Sequence, residues 1–252
     1  MSPTDWSALH AELAVWRSEG RTLPLWWRDD DAIAPTPELE RLQTLAQRHA
    51  IPVHLAIIPA HASPGLADAL DTGAFRAVVH GWAHENHAPE GMKSSEFGTP
   101  RETAADDAAR GLKTLDTLFP GKVQRMFVPP WNRIDDALLP QLRDTGYTAL
   151  STYLPRTARF PVPGLEQINT HIDPVDWRGT RGLREPNDTL DQLVTTLRDR
   201  RNGQTDASEP LGLLTHHLMQ DDATWDFTHA ILTELCEGPV ELFDIATRKD
   251  TQ

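Results

Sequence analysis

Short apolar runs recur along the whole chain, separated by segments with helical periodicity, and this alternation is what most limits the folds open to it. The runs are LPLWWR at 23–28, VHLAII at 53–58, FRAVVH at 75–80, VQRMFV at 123–128, YTALST at 147–152, LEQINT at 165–170, LGLLTH at 211–216 and VELF at 240–243. Several are almost wholly apolar, as strands covered on both faces must be. Between them, 36–50 carries Leu39, Leu42 and Leu45 at helical spacing with Pro37 in the first turn, a position where the missing N–H costs nothing. Segments 101–119, 135–145, 188–201 and 223–236 read as further helices. Strand–helix repetition from end to end means a parallel sheet, either a barrel or doubly wound. The chain has 252 residues, and a single α/β barrel typically needs about 250.

Nothing divides the chain into separate units. The polar, Gly-, Pro- or Ser-rich stretches 85–99, 178–187 and 202–210 read as surface loops, and no internal repeat or linker accompanies them. We therefore expect one domain over residues 1–252. A net charge of −13 disfavours nucleic acid and anionic membrane surfaces, since binding either requires cations that displace counterions. The charge alone says nothing about a substrate. Cys236 is the only cysteine, so no internal disulfide forms, and its place in AILTELCEG predicts a buried structural thiol rather than a nucleophile. The N-terminal stretch shows no signal-peptide core and no run is long enough to span a membrane, which predicts a cytoplasmic protein.

The chemically capable residues fall at the C-terminal ends of the expected strands. Asp29, Asp30 and Asp31 follow the first, His80 closes the third with His84 four residues on, Val128-Pro129-Pro130-Trp131 follows the fourth, Asp173 to Trp177 follow the sixth, and His216 and His217 follow the seventh. That is the end at which α/β barrels keep their active sites. Two imidazoles at this spacing can share one ion, and a carboxylate such as Asp30 would complete a two-His, one-carboxylate set with positions left open for water. Three adjacent carboxylates could instead cap the helix that follows, but their mutual repulsion favours a cation or a shifted pKa. Strand alternation predicts that one of His216 and His217 faces the mouth and the other faces away. Of eight tryptophans, Trp26 or Trp27 suits core packing, whereas Trp82, Trp131 and Trp177 suit a pocket wall.

Together these segments resemble the polysaccharide deacetylases, the carbohydrate esterases of family 4 built on the NodB-type barrel. The family's T-F-D-D-G strand end reads Trp27-Arg28-Asp29-Asp30-Asp31, and its H-[ST]-x-x-H reads His80-Gly81-Trp82-Ala83-His84. R-x-P-[FY] reads Val128-Pro129-Pro130-Trp131, the fourth motif reads Asp173-Pro174-Val175-Asp176-Trp177, and L-x-H reads Leu214-Thr215-His216. The order matches over about residues 23–217.

The resemblance implies a single-domain, distorted (β/α)7–8 barrel and a metal-dependent hydrolase that removes an acetyl group from an N-acetylated, sugar-containing substrate, with metal-activated water as nucleophile. It implies Asp29 as catalytic base, Asp30, His80 and His84 as metal ligands, and His216 as general acid, with His217 where the family has Asp. The backbone N–H of Trp131, which follows Pro130 in the substrate-binding motif, would help hold the oxyanion, and Asp176 and Trp177 would shape the pocket for a small-molecule or oligosaccharide substrate and orient the acid. The implied cofactor is one divalent ion, Zn2+ first, with Co2+, Mn2+, Fe2+ and Ni2+ also compatible. Three departures stand out. Val128 replaces the arginine that braces the catalytic carboxylate, for which Arg28 or Arg133 is the candidate substitute. Asp31 replaces a glycine, and Gly81 replaces a hydroxyl residue. The alternatives are a metal-independent amidohydrolase acting on a small nitrogen compound, or a carbohydrate-binding protein without catalysis.

Overall fold

The computed structural model describes residues 4–247. Eight parallel strands form one curled sheet: β1 (Leu23–Ala32), β2 (Val53–Ile57), β3 (Phe75–His80), β4 (Val123–Val128), β5 (Ala149–Leu150), β6 (Glu166–Gln167), β7 (Leu211–Thr215) and β8 (Val240–Leu242). They run in the order β6-β5-β4-β3-β2-β1-β7, and β8 pairs with β1. The helices are α1 (Ser7–Ser18), α2 (Pro37–His49), α3 (Leu66–Asp71), α4 (Ala104–Leu118), α5 (Leu139–Asp144), α6 (Pro186–Arg201) and α7 (Asp222–Cys236). The gap between β6 and β7 is bridged where the His171 N–H donates to Gly212 O and the Leu214 N–H to Ile172 O. A parallel sheet curled in this way with helices outside is a distorted (β/α)7–8 barrel, as the sequence predicts. Among the described residues, no helix is long and apolar enough to cross a membrane.

Each expected strand is present. The central ones hold nearly their expected bounds, whereas β5 and β6 shrink to two residues each. The first strand is longer than its apolar run, because the three aspartates continue it. Pro37 begins α2 behind Thr36, whose hydroxyl caps the Leu39 N–H. Cys236 lies exposed at the end of α7, against the expectation of a buried thiol. The helix's buried stripe runs through Ile231, Leu232 and Leu235 and leaves position 236 outside it.

The period-2 alternation of strands sorts side chains into two cores. Leu25, Trp27, Leu55, Val79, Leu211 and Leu213 face outward onto the helices. Trp26, Ala56, Val78, Met126, Val128, Ala149 and Ile168 fill the barrel interior, with Phe243 and Ile245 packed against them. Continuing the inward phase of β1 and β3 past this plug brings Arg28, Asp30 and His80 to the upper mouth.

His54 lies fully buried lower in the barrel, its ring edge-on to Trp26 at 5.1 Å between centroids. Its Nδ1–H donates to Trp27 O, and Nε2 accepts from the Ile245 N–H, which is the pattern of a neutral imidazole. Burial pulls its pKa from 6.5 down to about 4, against the opposing charge of Asp244. Arg76 pairs with that same carboxylate. The unfolded chain therefore takes up a proton near pH 6.5 that the folded one refuses until about pH 4. Stability from this residue is complete above pH 6.5 and is lost as pH falls across that window, by about 3 kcal/mol at 1.36 kcal/mol per pKa unit. Urea midpoints at pH 7.5 and pH 4.5 check this. The parent should lose more stability than His54→Gln, and equal losses would refute it.

Candidate functional site

The three aspartates of β1 do three different things. The ladder between β1 and β2 shifts between Asp29 and Ala32: Asp29 pairs with Leu55 and Ala32 with Ile57, three steps on one strand against two on the other. Such a bulge breaks the alternation and re-aims a side chain. Asp31 occupies it with φ 73°, a left-handed conformation that Asp tolerates better than most residues. By strict alternation Asp31 would share the outward face of Asp29. The bulge turns it toward the mouth instead.

Asp31 thus meets the histidine pair. Its Oδ1 is 3.1 Å from His80 Nε2 and 3.3 Å from His84 Nε2. The Nδ1–H of His80 donates to Val128 O, which leaves Nε2 to face Asp31, as an N–H donor when the ring is protonated and as a lone pair for an ion when it is neutral. One ligand atom from each of the three residues lies within 4.8 Å of the others. Two imidazoles and a carboxylate on one side of an open mouth suit a divalent transition metal. Without such an ion, burial opposes charge on Asp31, but the hydrogen bond and charge of His80, with His216 and His84, hold its carboxyl well below the usual range. Burial also works against a charged His80, yet Asp30 and Asp31 raise its pKa. Burial and the neighbouring His80 lower that of His84.

Asp30 is occupied differently from the sequence assignment to the metal. Its carboxylate lies against the fully buried Arg28 guanidinium, with Nε 2.9 Å from Oδ1 and Nη2 2.9 Å from Oδ2. Arg28 also donates to Ser151 Oγ, Thr152 O and Asn132 Oδ1. Position 128 faces the same interior but holds valine, so the arginine reaches this carboxylate from β1. Arg133 does not take part, since it turns to Ser94 O.

Asp29, expected to be the base, is fully buried on the other face of the strand. It accepts from Thr215 Oγ1 at 2.6 Å and the His217 N–H at 3.0 Å, and its Oδ1 lies 2.5 Å from His217 Nδ1. Burial disfavours a charged His217, but the Asp29 carboxylate outweighs it and raises the histidine's pKa. Trp27 completes this cluster by donating to Thr215 Oγ1. The carboxylates at the mouth are therefore Asp30 and Asp31, one residue later than the motif alignment placed them.

After β7 the alternation holds: His217 points outward to Asp29 and His216 reaches the mouth, where its charge acts on both Asp31 and Asp173. The His216 ring packs edge-on against Trp177 at 4.6 Å, and Trp177 Nε1 donates to Asp173 Oδ2. Burial raises the Asp173 carboxyl above its ordinary range, opposed by His216 and the Trp177 hydrogen bond. Asp176, assigned to orient the acid, instead accepts from the backbone N–H groups of Arg178, Gly179 and Thr180. It shapes the 176–180 turn, and Asp173 is the carboxylate beside His216.

Pro130 begins the turn after β4, in which Trp131 (φ 57°) and Asn132 (φ 56°) are both left-handed. Two such residues in succession cost of order 1–3 kcal/mol each. The turn lays the Trp131 ring 4.2 Å from that of His84 and sends the Asn132 side chain to Arg28. Trp82 lies under Arg110, 3.7 Å from its guanidinium. The sequence reading missed Asn132, Ser151 and Glu96. Glu96 is buried inside the supposed surface loop 85–99, and only the apolar Phe97 beside it hints that the loop turns inward there.

No protein-family model matches this sequence, and no curated protein matches it. Solved structures do match in shape. A Mycobacterium smegmatis protein assigned as a polysaccharide deacetylase superposes with a TM-score of 0.62 at 15% identity, covering 83% of this chain and 74% of its own. A family 4 acetyl xylan esterase from Clostridium thermocellum, in complex with a cobalt ion, gives 0.53 at 12% identity over 88% of each chain. A pseudoenzyme of carbohydrate esterase family 4 from Bacillus anthracis gives 0.56 at 14% identity, covering 88% of this chain and 64% of its own. The curled parallel barrel with its polar mouth at the strand ends is therefore the fold of the polysaccharide deacetylases of carbohydrate esterase family 4.

Proposed function

We propose that this protein is a metal-dependent hydrolase that removes an acetyl group from an N-acetylated, sugar-containing substrate. The observation that carries the reading is the convergence of Asp31, His80 and His84 beside a second carboxylate, Asp30, held by Arg28. When bound there, a divalent cation would supply Lewis-acid polarisation of water and of the substrate carbonyl. The protein's own groups do the rest. Asp30 accepts the proton of the attacking water, its orientation held by the ion pair and the Nη2 hydrogen bond from Arg28. The Trp131 N–H donates to the oxygen that gains negative charge. His216, backed by Asp173 and Trp177, delivers a proton to the leaving amine. Exposed Trp177, packed beside His216, offers an apolar face to a sugar ring or an acyl group.

A binding protein without catalysis was suggested by the valine at position 128, but Arg28 supplies the missing brace. The metal-independent alternative gives no reason for Asp31 to leave the strand alternation and join two histidines. The test is the metal content of untagged protein beside the double variant His80→Ala, His84→Ala, followed by acetate release from N-acetylated amino sugars. About one divalent ion per chain, as in other three-ligand catalytic sites, should be found in the parent and lost in the variant, and the parent should release acetate. A parent that takes up no ion after reconstitution would refute the reading.

A further inference from the structure

We propose that Glu96 is a positioning residue for the metal site, holding the His80–His84 turn that carries the second histidine. The inference rests on the metal reading above. Glu96 comes from the long loop between β3 and α4 and is 1% exposed. Its carboxylate gathers three consecutive backbone donors of the turn that carries the second histidine. Oε1 accepts from the Ala83 N–H at 2.8 Å, and Oε2 from those of Trp82 at 3.2 Å and His84 at 3.3 Å. Such a cradle of successive N–H groups is a natural anion seat. Here the anion is the protein's own.

Gly81 makes room for it. This residue has φ +58°, and a Cβ there would stand 2.3 Å from Glu96 Oε2 and 2.5 Å from Pro130 Cδ. A side chain at 81 and the Glu96 carboxylate exclude one another, so glycine at that position and the acid fifteen residues on form one device. The device is anchored at its far end. Phe97 is buried edge-on against Phe127 at 5.1 Å, and its carbonyl accepts from the Asp135 N–H. The Ser95 N–H donates to Asn86 Oδ1 and the His87 N–H to Ser95 O. A turn in which Gly81 and His84 are both left-handed does not hold itself. The Glu96 carboxylate holds it so that His84 Nε2 faces Asp31.

The experiment is Co2+ binding to the full chain, read by competition with a chelating dye and by the visible d–d spectrum, in the parent, Glu96→Gln and Glu96→Ala. Gln keeps one acceptor oxygen at the same reach, and Ala keeps none. Groups that orient metal ligands typically cost roughly 10–100-fold in affinity when removed. Affinity should therefore fall in the order parent, Gln, Ala, by roughly 10–100-fold for Ala, and the Co2+ spectrum should change as His84 loses its aim. Should Glu96→Ala fail to fold, the Gln variant carries the comparison. Parental affinity and spectrum in the variants would overturn the proposal. So would weaker binding with an unchanged spectrum and a lower melting temperature without metal, which is the mark of a purely structural role. A parent that binds no Co2+ overturns the metal reading and this inference together, whereas a metal-binding parent with indifferent variants overturns this inference alone.

Discussion

Asp30→Asn should lower turnover by about 10²–10⁴-fold, the usual worth of a positioned general base, while leaving the bound metal in place. The change removes a proton acceptor but keeps the shape of the side chain and one oxygen for Arg28. Asp31→Asn should do the reverse and lose the ion, because its carboxylate is the one lying 3.1 and 3.3 Å from the two imidazoles. Elemental analysis beside acetate release separates the cases. The rate must be expressed per folded chain, since Asp30→Asn also weakens a buried ion pair, one of the costlier losses a fold can sustain. Parental turnover in Asp30→Asn would remove the carboxylate from the proton transfer. Loss of the metal in that variant would return Asp30 to the ligand set.

Asp29→Ala should act on stability. The residue next to the proposed base sits on the opposite face, fully buried, where it accepts from Thr215 and from the His217 backbone and faces the His217 ring. Deleting one partner of a buried charged pair typically costs 3–5 kcal/mol, because the other is left uncompensated. For a chain of this size each kcal/mol moves the midpoint by roughly 2–4 °C, so the melting temperature should fall by roughly 10 °C. Folded Asp29→Ala should still bind metal. A variant that melts within 2 °C of the parent would show that the Asp29–His217 pair contributes nothing, and one that stays folded but inactive would make Asp29 the base after all. The two neighbouring substitutions thus probe opposite faces of one strand.

The sequence determined the architecture of this protein, because a parallel strand covered on both faces must be apolar along its length. VHLAII, FRAVVH and VQRMFV therefore announce β2, β3 and β4. It also determined which end of the barrel gathers the chemically capable residues, since His80, His84 and His216 lie at strand ends that register alone brings together. It did not determine which aspartate does what. Side-chain direction along β1 follows alternation only as far as Asp30, and the bulge at Asp31 depends on how β1 pairs with β2, which the 20 residues between the two strands place beyond local pattern. Tertiary structure likewise decided that Arg28 replaces the arginine absent at position 128, and that Asp173 rather than Asp176 stands by His216. It also sank Glu96, in a stretch polar enough to read as surface, beneath the His80–His84 turn. The roles of Asp29, Asp30 and Asp31, and of Asp173 and Asp176, are choices between chemically equal groups close in the chain. Such choices are made by contacts between residues distant in the chain, where burial and hydrogen bonding reward one direction of a side chain and forbid the other.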